Sequence, residues 1–455
     1  MYTTERLAQA TLALPAGDLA QTTRKAIQRC ILDLIGAAAA GHLAASARAL
    51  RRMARQTFGP GPAGVWFTGQ RLPLAAAAMV NSGAASALDL DDGHRGAAGH
   101  PGAAIIPAVF TLAPALKSSP AEVLAAIAAG YEVGCRVAAA RDIDRLATLS
   151  TGRWAPFGVA AAAGRLYRVS EAVLAQALAI AGAQAPDLAA SGYSKVMGNH
   201  VKEGIPWAVL TGIGALALAR EGFTGPLDIL DHPDWFDARR IMAASDFGRA
   251  VEAVYFKPYS SCRWSHAALD ALTAMVAEQR LEPAAIENIT VETFARALRL
   301  NNAPDPDTLE GAQYSIPFCL AVAALHGPEA LLPLTEARLH DPRCASLARR
   351  VVLAVDPALD RRFPGQTPAR VTLEAGGRRF QKTVLTPLGD PANPLGDQDL
   401  ERKFCRLAPR MHRIIGAVAA LETEGLPPLL KFLGDLGPGA GALPNRPETS
   451  WEVAP

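Results

Sequence analysis

The chain has 455 residues, of which 50% are hydrophobic and 19% charged, and its formal net charge is +2. A chain of this length favours two or three compact units over a single core. The balanced charge, without Lys/Arg runs interleaved with aromatic residues, argues against a nucleic-acid partner and predicts a soluble protein with a small-molecule ligand.

Helical spacing of Ala and Leu dominates the chain from about residue 4 to residue 222. Ser119, Pro120 and Glu122 supply an N-cap, a first-turn proline and a capping-box acid for one of these helices. Pro206 introduces another helix. We therefore predict a helical bundle in this half.

Strand-like runs appear after about Glu282. They cover residues 289–293, 351–355, 370–374 and 380–384. Gly376 and Gly377 stand between the last two runs, where they predict a hairpin turn. Residues 400–421 then revert to a helical pattern and are expected to pack back on the first half. The predicted fold class is mainly α, with a large all-helical domain and a smaller α+β domain.

The most polar segment spans residues 86–102 and lies in otherwise apolar, Ala-rich sequence. Its charged and imidazole side chains are Asp89, Asp91, Asp92, His94, Arg95 and His100. Because such groups are costly to bury unpaired, we expect them to gather in a cleft. An alternative is a metal-dependent hydrolase, in which a divalent ion is held by Asp91, Asp92, His94 and His100.

A second group of candidates precedes the apolar helix that starts near residue 267. Lys257, Arg263 and His266 lie close together in this stretch. Arg263 suits bidentate binding of a carboxylate. His266 suits general acid or base catalysis because imidazole titrates near neutral pH, and the alternative is a histidine that caps the helix.

Three further side chains stand in favourable contexts. Lys202 lies just ahead of the helix introduced by Pro206, where a lysine suits a ligand carboxylate or proton transfer; an exposed lysine without a role is the alternative. Arg153 is a cation beside Trp154, and a surface arginine is the alternative. Tyr314 places a phenol at the start of an apolar helix, where a core position is the alternative.

Cysteine spacing and apolar stretches bear on the compartment. The six cysteines show neither a CxxC pair nor zinc-ligand spacing, so we expect reduced thiols without disulfides or a structural metal. The first residues lack the apolar core of a signal peptide. The most apolar stretches are interrupted by charge or fall short of the roughly 20 residues of a bilayer span. We expect a cytoplasmic protein without a membrane partner.

Six motifs, in order along nearly the whole chain, resemble the MmgE/PrpD family. They read ALDLDDGH with the following HPG, GYEVGCR, VKEGIPWA with GFTGP, KPYSSCRWSHAALDA, AQYSIPF and GDPANPLGDQDLERKF. The family includes 2-methylcitrate dehydratase, cis-aconitate decarboxylase and iminodisuccinate epimerase. The resemblance implies an all-helical domain of residues 1–270 and 398–455, an α+β lid of residues 271–397, and an active site at their junction. It also implies a homodimer that needs no metal or organic cofactor.

The resemblance further implies which residues form the site. Asp89, His100, Lys202 and His266 fall on catalytic positions of the family, and Tyr314 also matches. We expect the substrate-binding residues to be Asp92, His94, Arg95, Arg153, Lys257, Arg263 and Tyr314.

The chemistry shared by the family is proton movement at a carbon next to a carboxylate. We expect His100 and His266 to form the acid/base pair, with Asp89 or Asp92 orienting an imidazole or tuning its pKa. The basic side chains are expected to anchor a di- or tricarboxylate and to stabilise the enolate-like charge. The function predicted is a lyase, either a dehydratase or a decarboxylase. The alternatives are an epimerase of an amino- or imino-dicarboxylate, a metal-dependent hydrolase and a non-catalytic carboxylate-binding protein.

Two positions differ from the decarboxylase-like pattern. Gly93 stands where that pattern has Thr, and residues 150–154 provide no imidazole where many members have a histidine. These differences argue against cis-aconitate decarboxylation itself and leave the shared chemistry in place.

Overall fold

The structure is a computed structural model that describes residues 1–146, 149–186, 199–243 and 246–434. Its elements are mainly α-helices with a few strands, which confirms the predicted fold class. The first part of the chain forms the helices Thr3–Ala13, Gln21–Gly41, Ala45–Phe58, Leu74–Ser86, Pro101–Ala115, Pro120–Ala139, Ala155–Leu166, Glu171–Ala183, Ile205–Arg220 and Ala238–Ile241. Two-residue strands pair Ala63–Gly64 with Arg71–Leu72 and Gly93–His94 with Val254–Tyr255.

The start of the helix Pro120–Ala139 confirms the capping signals in the sequence. The hydroxyl of Ser119 accepts a hydrogen bond from the backbone N–H of Glu122 at 3.3 Å. In return, the Glu122 carboxylate accepts one from the backbone N–H of Ser119 at 2.7 Å. Both donors would otherwise lack a partner in the first helical turn.

The later part of the chain contains the main sheet. Its four strands lie in the order Val351–Val355, Ile286–Thr293, Ala369–Ala375 and Arg378–Val384. The first pair is parallel and the other two are antiparallel. The helices of this part are His266–Gln279, Leu309–Gln313, Ile316–His326, Glu336–Leu339, Pro342–Ala348 and Pro357–Asp360.

The predicted hairpin is confirmed between the last two strands. Gly376 and Gly377 form its turn with φ angles of +57° and +69°. Such angles at both central residues are typical of a type I′ turn, which glycine adopts at little steric cost.

The C-terminal part is helical but more broken than the sequence predicts. Its helices are Asp397–Leu407, Arg413–Ala419, Leu421–Glu424 and Pro427–Gly434. The expected single helix of residues 400–421 breaks after Leu407 because Pro409 follows, and the residue before a proline disfavours helical backbone.

Two large hydrophobic cores account for most of the buried apolar side chains. One is built from residues between Leu7 and Phe256 and continues with residues from Leu395 to Leu433. The other is built from residues between Tyr259 and Ala375. The two predicted domains and their boundaries stay a prediction, and residues 435–455 of the predicted helical domain lie outside the described residues.

Within the described ranges, no single helix is both long and apolar enough to cross a bilayer. One bent pair, Gln21–Gly41 with Ala45–Phe58, passes that test by length and composition only.

Candidate active site

Within the polar segment of residues 86–102, residues 87–100 connect two buried helices, Leu74–Ser86 and Pro101–Ala115. Midway along it, Gly93–His94 pairs antiparallel with Val254–Tyr255. This ladder joins parts of the chain that are far apart in sequence. It brings the second group of candidate residues against the first.

Asp89 is held by two lysines. Its Oδ2 lies 2.8 Å from Nζ of Lys257, and its Oδ1 lies 3.5 Å from Nζ of Lys202. Lys257 also donates to the Asp89 carbonyl at 3.0 Å, and Lys202 donates to the Ser86 carbonyl at 2.9 Å. Burial raises the pKa of Asp89, but the charges of Lys257, Lys202 and His100 outweigh it and hold that pKa well below its ordinary value.

The backbone of this ion-paired group is unusual. Asp89 has a φ of +55° and Lys202 a φ of +47°. Non-glycine residues seldom adopt this left-handed region, and such outliers cluster at functional sites. The geometry therefore supports a functional role for the Asp89 and Lys202 pair.

The ring of His100 is surrounded by carboxylates. Its Nδ1 lies 3.0 Å from the Asp92 carbonyl and 3.3 Å from Oδ2 of Asp91. Its Nε2 lies 3.7 Å from Oδ1 of Asp89 and 3.7 Å from Oε1 of Glu203. Burial disfavours the charged ring, but chiefly Asp91 and then Glu203 outweigh that effect and raise the pKa of His100 to about 9. His100 is therefore a charged imidazolium at neutral pH.

Glu203 is a site residue that the sequence analysis missed. Its Oε2 accepts hydrogen bonds from the backbone N–H of Thr151, at 3.1 Å, and from the Thr151 hydroxyl. That hydroxyl oxygen accepts in turn from the backbone N–H of His100 at 3.1 Å. The only signal in the sequence was its place directly after Lys202 in the VKEGIPWA motif.

Asp92 is buried and does not line the cavity that is described below. Its two carboxylate oxygens accept hydrogen bonds from the backbone N–H of Gly102, at 3.0 Å, and from the hydroxyl of Tyr131, at 2.9 Å. Burial, with repulsion from Asp91 and Asp33, raises the pKa of Asp92 to about 7. These contacts hold the start of the helix Pro101–Ala115, which follows His100.

A cavity of about 80 Å³ opens beside His100. This volume holds several water molecules and therefore suits a small ligand. Residues from the first part of the chain, up to Tyr255, and from the later part, from Cys262 onward, line it. They are Asp89, Arg95, Ala98, Gly99, His100, Ile143, Leu149, Ser150, Glu203, Tyr255, Cys262, Arg263, Trp264, Leu300, Tyr314, Phe363, Pro364 and Thr367.

Five of the predicted site residues line this cavity. They are Asp89, Arg95, His100, Arg263 and Tyr314. The predicted residues that are not part of its lining are Asp92, His94, Arg153, Lys202, Lys257 and His266. Of these, Lys202 and Lys257 reach Asp89 from outside the cavity, whereas Arg153 lines a different cavity together with Arg141 and Arg145. The roles predicted for all these residues stay predictions.

His266 is buried and bonded to protein groups at both ring nitrogens. Its Nδ1 accepts from Nη1 of Arg263 at 3.2 Å, and its Nε2 donates to the Ser261 carbonyl at 3.1 Å. Burial, with repulsion from Arg263 and Lys257, lowers its pKa well below the ordinary value. His266 is therefore neutral and positions the guanidinium of Arg263.

The two arginines of the cavity share one carboxylate. Arg95 forms an ion pair with Asp390, whose Oδ2 also lies 3.8 Å from Nη2 of Arg263. Arg263 further donates to the carbonyls of Leu388 at 2.7 Å and Pro387 at 3.0 Å. Burial lowers the pKa of Arg263 to about 10, so the side chain stays charged at neutral pH.

His94 lies on the ladder rather than in the cavity. Its Nδ1 accepts a hydrogen bond from the backbone N–H of Ala97 at 3.1 Å. Burial and the charge of Arg95 lower its pKa to about 4, so the ring is neutral. Its contacts shape the loop before His100.

The four residues of the metal alternative do not converge on one point. Among the described residues of this region, Asp89, Asp91 and His100 are the group whose ligand atoms lie within 4.8 Å of one another. That group excludes Asp92 and His94, which are bonded elsewhere. The ammonium of Lys257 already neutralises Asp89 at 2.8 Å, so this donor set fits a divalent cation poorly.

Comparisons with known proteins agree on one family. The chain is 27% identical over 438 residues to a human cis-aconitate decarboxylase, which covers 90% of this chain and 88% of that protein. It is 27% identical to the mouse cis-aconitate decarboxylase, over 75% of this chain and 73% of that protein. A cis-aconitate decarboxylase of Aspergillus terreus is 25% identical, over 82% of this chain and 84% of that protein.

The family models match the two parts of the chain in succession. The MmgE/PrpD N-terminal domain matches residues 5–245, and the MmgE/PrpD C-terminal domain matches residues 259–420. Together they cover most of the sequence, including every residue that lines the cavity except Tyr255. The chain therefore belongs to the MmgE/PrpD family.

Proposed function

We propose that this protein is a cofactor-independent lyase that acts on a small di- or tricarboxylate by moving a proton at the carbon next to a carboxylate. The observation that carries the proposal is the imidazole of His100, which lines a small cavity and is kept charged by Asp91 and Glu203. A charged imidazole in a cleft is a general acid ready to donate its proton.

The carboxylate of Glu203 faces Nε2 of His100 and supplies the base that the reaction needs beside this acid. Its Oε1 lies 3.7 Å from Nε2 of His100, and both side chains line the cavity. In a dehydration, Glu203 takes the proton from the carbon, the bond to the neighbouring hydroxyl breaks, and His100 protonates the leaving oxygen to release water. In a decarboxylation, the bond to the departing carbon dioxide breaks and His100 protonates the carbon.

The negative charge that builds up in either reaction needs nearby cations. Arg95 and Arg263 line the cavity, whereas Lys202 lies outside its lining and 3.5 Å from Asp89, which does line it. The two arginines anchor carboxylates of the substrate and stabilise the enolate-like oxygen, and Lys202 holds the Asp89 carboxylate in place. His266 takes the role of a positioning residue, since it holds Arg263 through a hydrogen bond of 3.2 Å.

The similar proteins support a lyase of this kind, because three of them are named cis-aconitate decarboxylase. Their identities of 25–27% do not carry their substrate over to this chain. Gly93 and the absence of an imidazole in residues 150–154 favour a different carboxylate. The homodimer and the cytoplasmic location stay predictions.

The test is incubation of the purified protein with citrate-like, aconitate-like and aspartate-derived acids in deuterated water. We expect deuterium at the carbon next to a carboxylate, with loss of water or carbon dioxide from at least one acid. The His100→Asn variant, which lacks the acid, is the matched control and is expected to release neither water nor carbon dioxide. Inversion of configuration without net loss would favour the epimerase, and no deuterium uptake from any acid would refute the proposal.

A further inference from the structure

Tyr255 is a cavity residue that neither the motifs nor the family models include. The residue is only 5% exposed, yet it contributes to the lining of the cavity beside His100. Among the described residues the hydroxyl has no hydrogen-bond partner, yet it is not one of the fully buried unpartnered oxygens, so it is open to the cavity. A ligand in the cavity can therefore reach this hydroxyl and accept a hydrogen bond from it.

The position of the ring depends on Gly93, its partner in the two-strand ladder. A Cβ atom at Gly93 would lie 2.3 Å from Cζ and 2.3 Å from the hydroxyl oxygen of Tyr255. No real side chain tolerates such a distance, so the phenol takes the space that any other residue at Gly93 would fill. The missing side chain at Gly93 and the phenol of Tyr255 are therefore one structural feature.

The surroundings of the phenol indicate what it binds. The guanidinium carbon of Arg263 lies 4.7 Å from the centre of the ring. Burial raises the pKa of Tyr255 to about 12 against the opposing charges of Lys257, Arg263 and Arg95. The phenol thus keeps its proton at neutral pH and can donate it to a hydrogen-bond acceptor. Cations nearby favour an anionic acceptor over a neutral one.

We propose that the hydroxyl of Tyr255 donates a hydrogen bond to a carboxylate of the substrate and, together with Arg263, determines which carboxylate the cavity accepts. This inference rests on the proposed function, because it assumes a carboxylate ligand. It assigns a substrate-binding role to a residue outside the family motifs.

The test compares the wild-type protein with Tyr255→Phe by calorimetric titration. The probes are citrate, succinate and propane-1,2,3-tricarboxylate, the last two of which have no hydroxyl to lose. Phe keeps the ring against Gly93 and under Arg263, so a space-filling role alone would leave binding unchanged. Loss of one hydrogen bond to a charged group is expected to weaken binding about tenfold to hundredfold. The matched control is Tyr167→Phe, whose ring stacks on Arg220 outside the cavity.

The outcomes separate this inference from the proposed function. Weaker binding in Tyr255→Phe, with Tyr167→Phe unchanged, supports it. A ligand-induced change in tyrosine ultraviolet absorbance that disappears in Tyr255→Phe supports it further. Equal binding by the wild type and Tyr255→Phe overturns the inference and leaves the lyase proposal standing. Failure of the wild type to bind any of the three acids overturns both.

Discussion

His100 illustrates how one side chain gains its chemistry from four neighbours. Its Nδ1 faces the Asp92 carbonyl and Asp91, and its Nε2 faces Asp89 and Glu203. Carboxylates on both sides keep the ring charged despite burial. In the proposed reaction, the proton that His100 donates is thus already on the ring before the substrate binds.

The first prediction concerns the pH dependence of activity. The acid must be charged, so the rate is expected to fall as pH rises through about 9, the raised pKa of His100. The raised pKa of His100 also stabilises the folded state. This stabilisation is fully present below the ordinary pKa of 6.5 and is lost as pH rises through about 9. Initial rates measured from pH 6 to pH 10 check this, with circular dichroism to confirm that the protein stays folded. A basic limb that starts near pH 7 would contradict it.

The second prediction concerns the buried Asp89 and Lys257 pair. Lys257 is fully buried and Asp89 is 3% exposed, so Lys257→Met leaves a carboxylate without its main counter-charge. We expect a loss of about 3–5 kcal/mol in the free energy of unfolding. The double variant Asp89→Asn with Lys257→Met is expected to regain most of it. Urea denaturation of the four proteins in this cycle measures both, and additive losses would argue against the pairing.

At the scale of elements, the ladder between Gly93–His94 and Val254–Tyr255 connects the two halves of the site. Each strand has two residues, and such a pairing is too short to be stable alone. It persists because the residues around it are buried and because the ring of Tyr255 covers Gly93.

The third prediction tests this close contact. Gly93→Ala places a Cβ atom 2.3 Å from the Tyr255 ring and is expected to cost about 1–3 kcal/mol in the free energy of unfolding. Gly64→Ala is the matched control, since a Cβ atom there meets nothing within 4 Å in the other two-residue ladder. Thermal denaturation compares the two variants. Equal melting temperatures would show that the ladder yields without strain.

At the scale of the whole molecule, the C-terminal helix Asp397–Leu407 contacts the polar segment through Lys403. Nζ of Lys403 lies 2.5 Å from Oδ1 of Asp33 and donates to the Leu90 carbonyl at 2.7 Å. Leu90 follows Asp89 directly, so this one buried lysine links an N-terminal helix, a C-terminal helix and the polar segment.

The fourth prediction follows from this link. Burial raises the pKa of Asp33 to about 6 although Lys403 opposes the shift. Lys403→Met is therefore expected to destabilise the protein more at pH 8, where Asp33 is charged and needs its partner, than at pH 5, where Asp33 is neutral. The loss at pH 8 is expected to be about 3–5 kcal/mol. Denaturation at both pH values measures it; equal losses would indicate that Lys403 acts by packing alone.

Local signals in the sequence determined the elements of this protein. The capping box at Ser119 and Glu122 and the hairpin at Gly376 and Gly377 depend on contacts between residues at most a few positions apart. Such contacts are encoded in short stretches and survive in the folded chain. The break after Leu407 also has a local cause, because Pro409 follows it, although the sequence analysis predicted helix across this position.

Only the tertiary structure decided which side chains share the cavity. The polar groups of residues 86–102 indicated a site because they lie in apolar sequence, and Asp89 and His100 do line the cavity. Glu203 and Tyr255 carried no such signal, since the contacts that bring them to His100 and Gly93 join distant parts of the chain. Tertiary packing likewise places His266 outside the cavity lining, where its ring forms a hydrogen bond with Arg263. Periodicity and capping act within a turn or a strand, whereas the partner of a buried charge is selected by the whole fold.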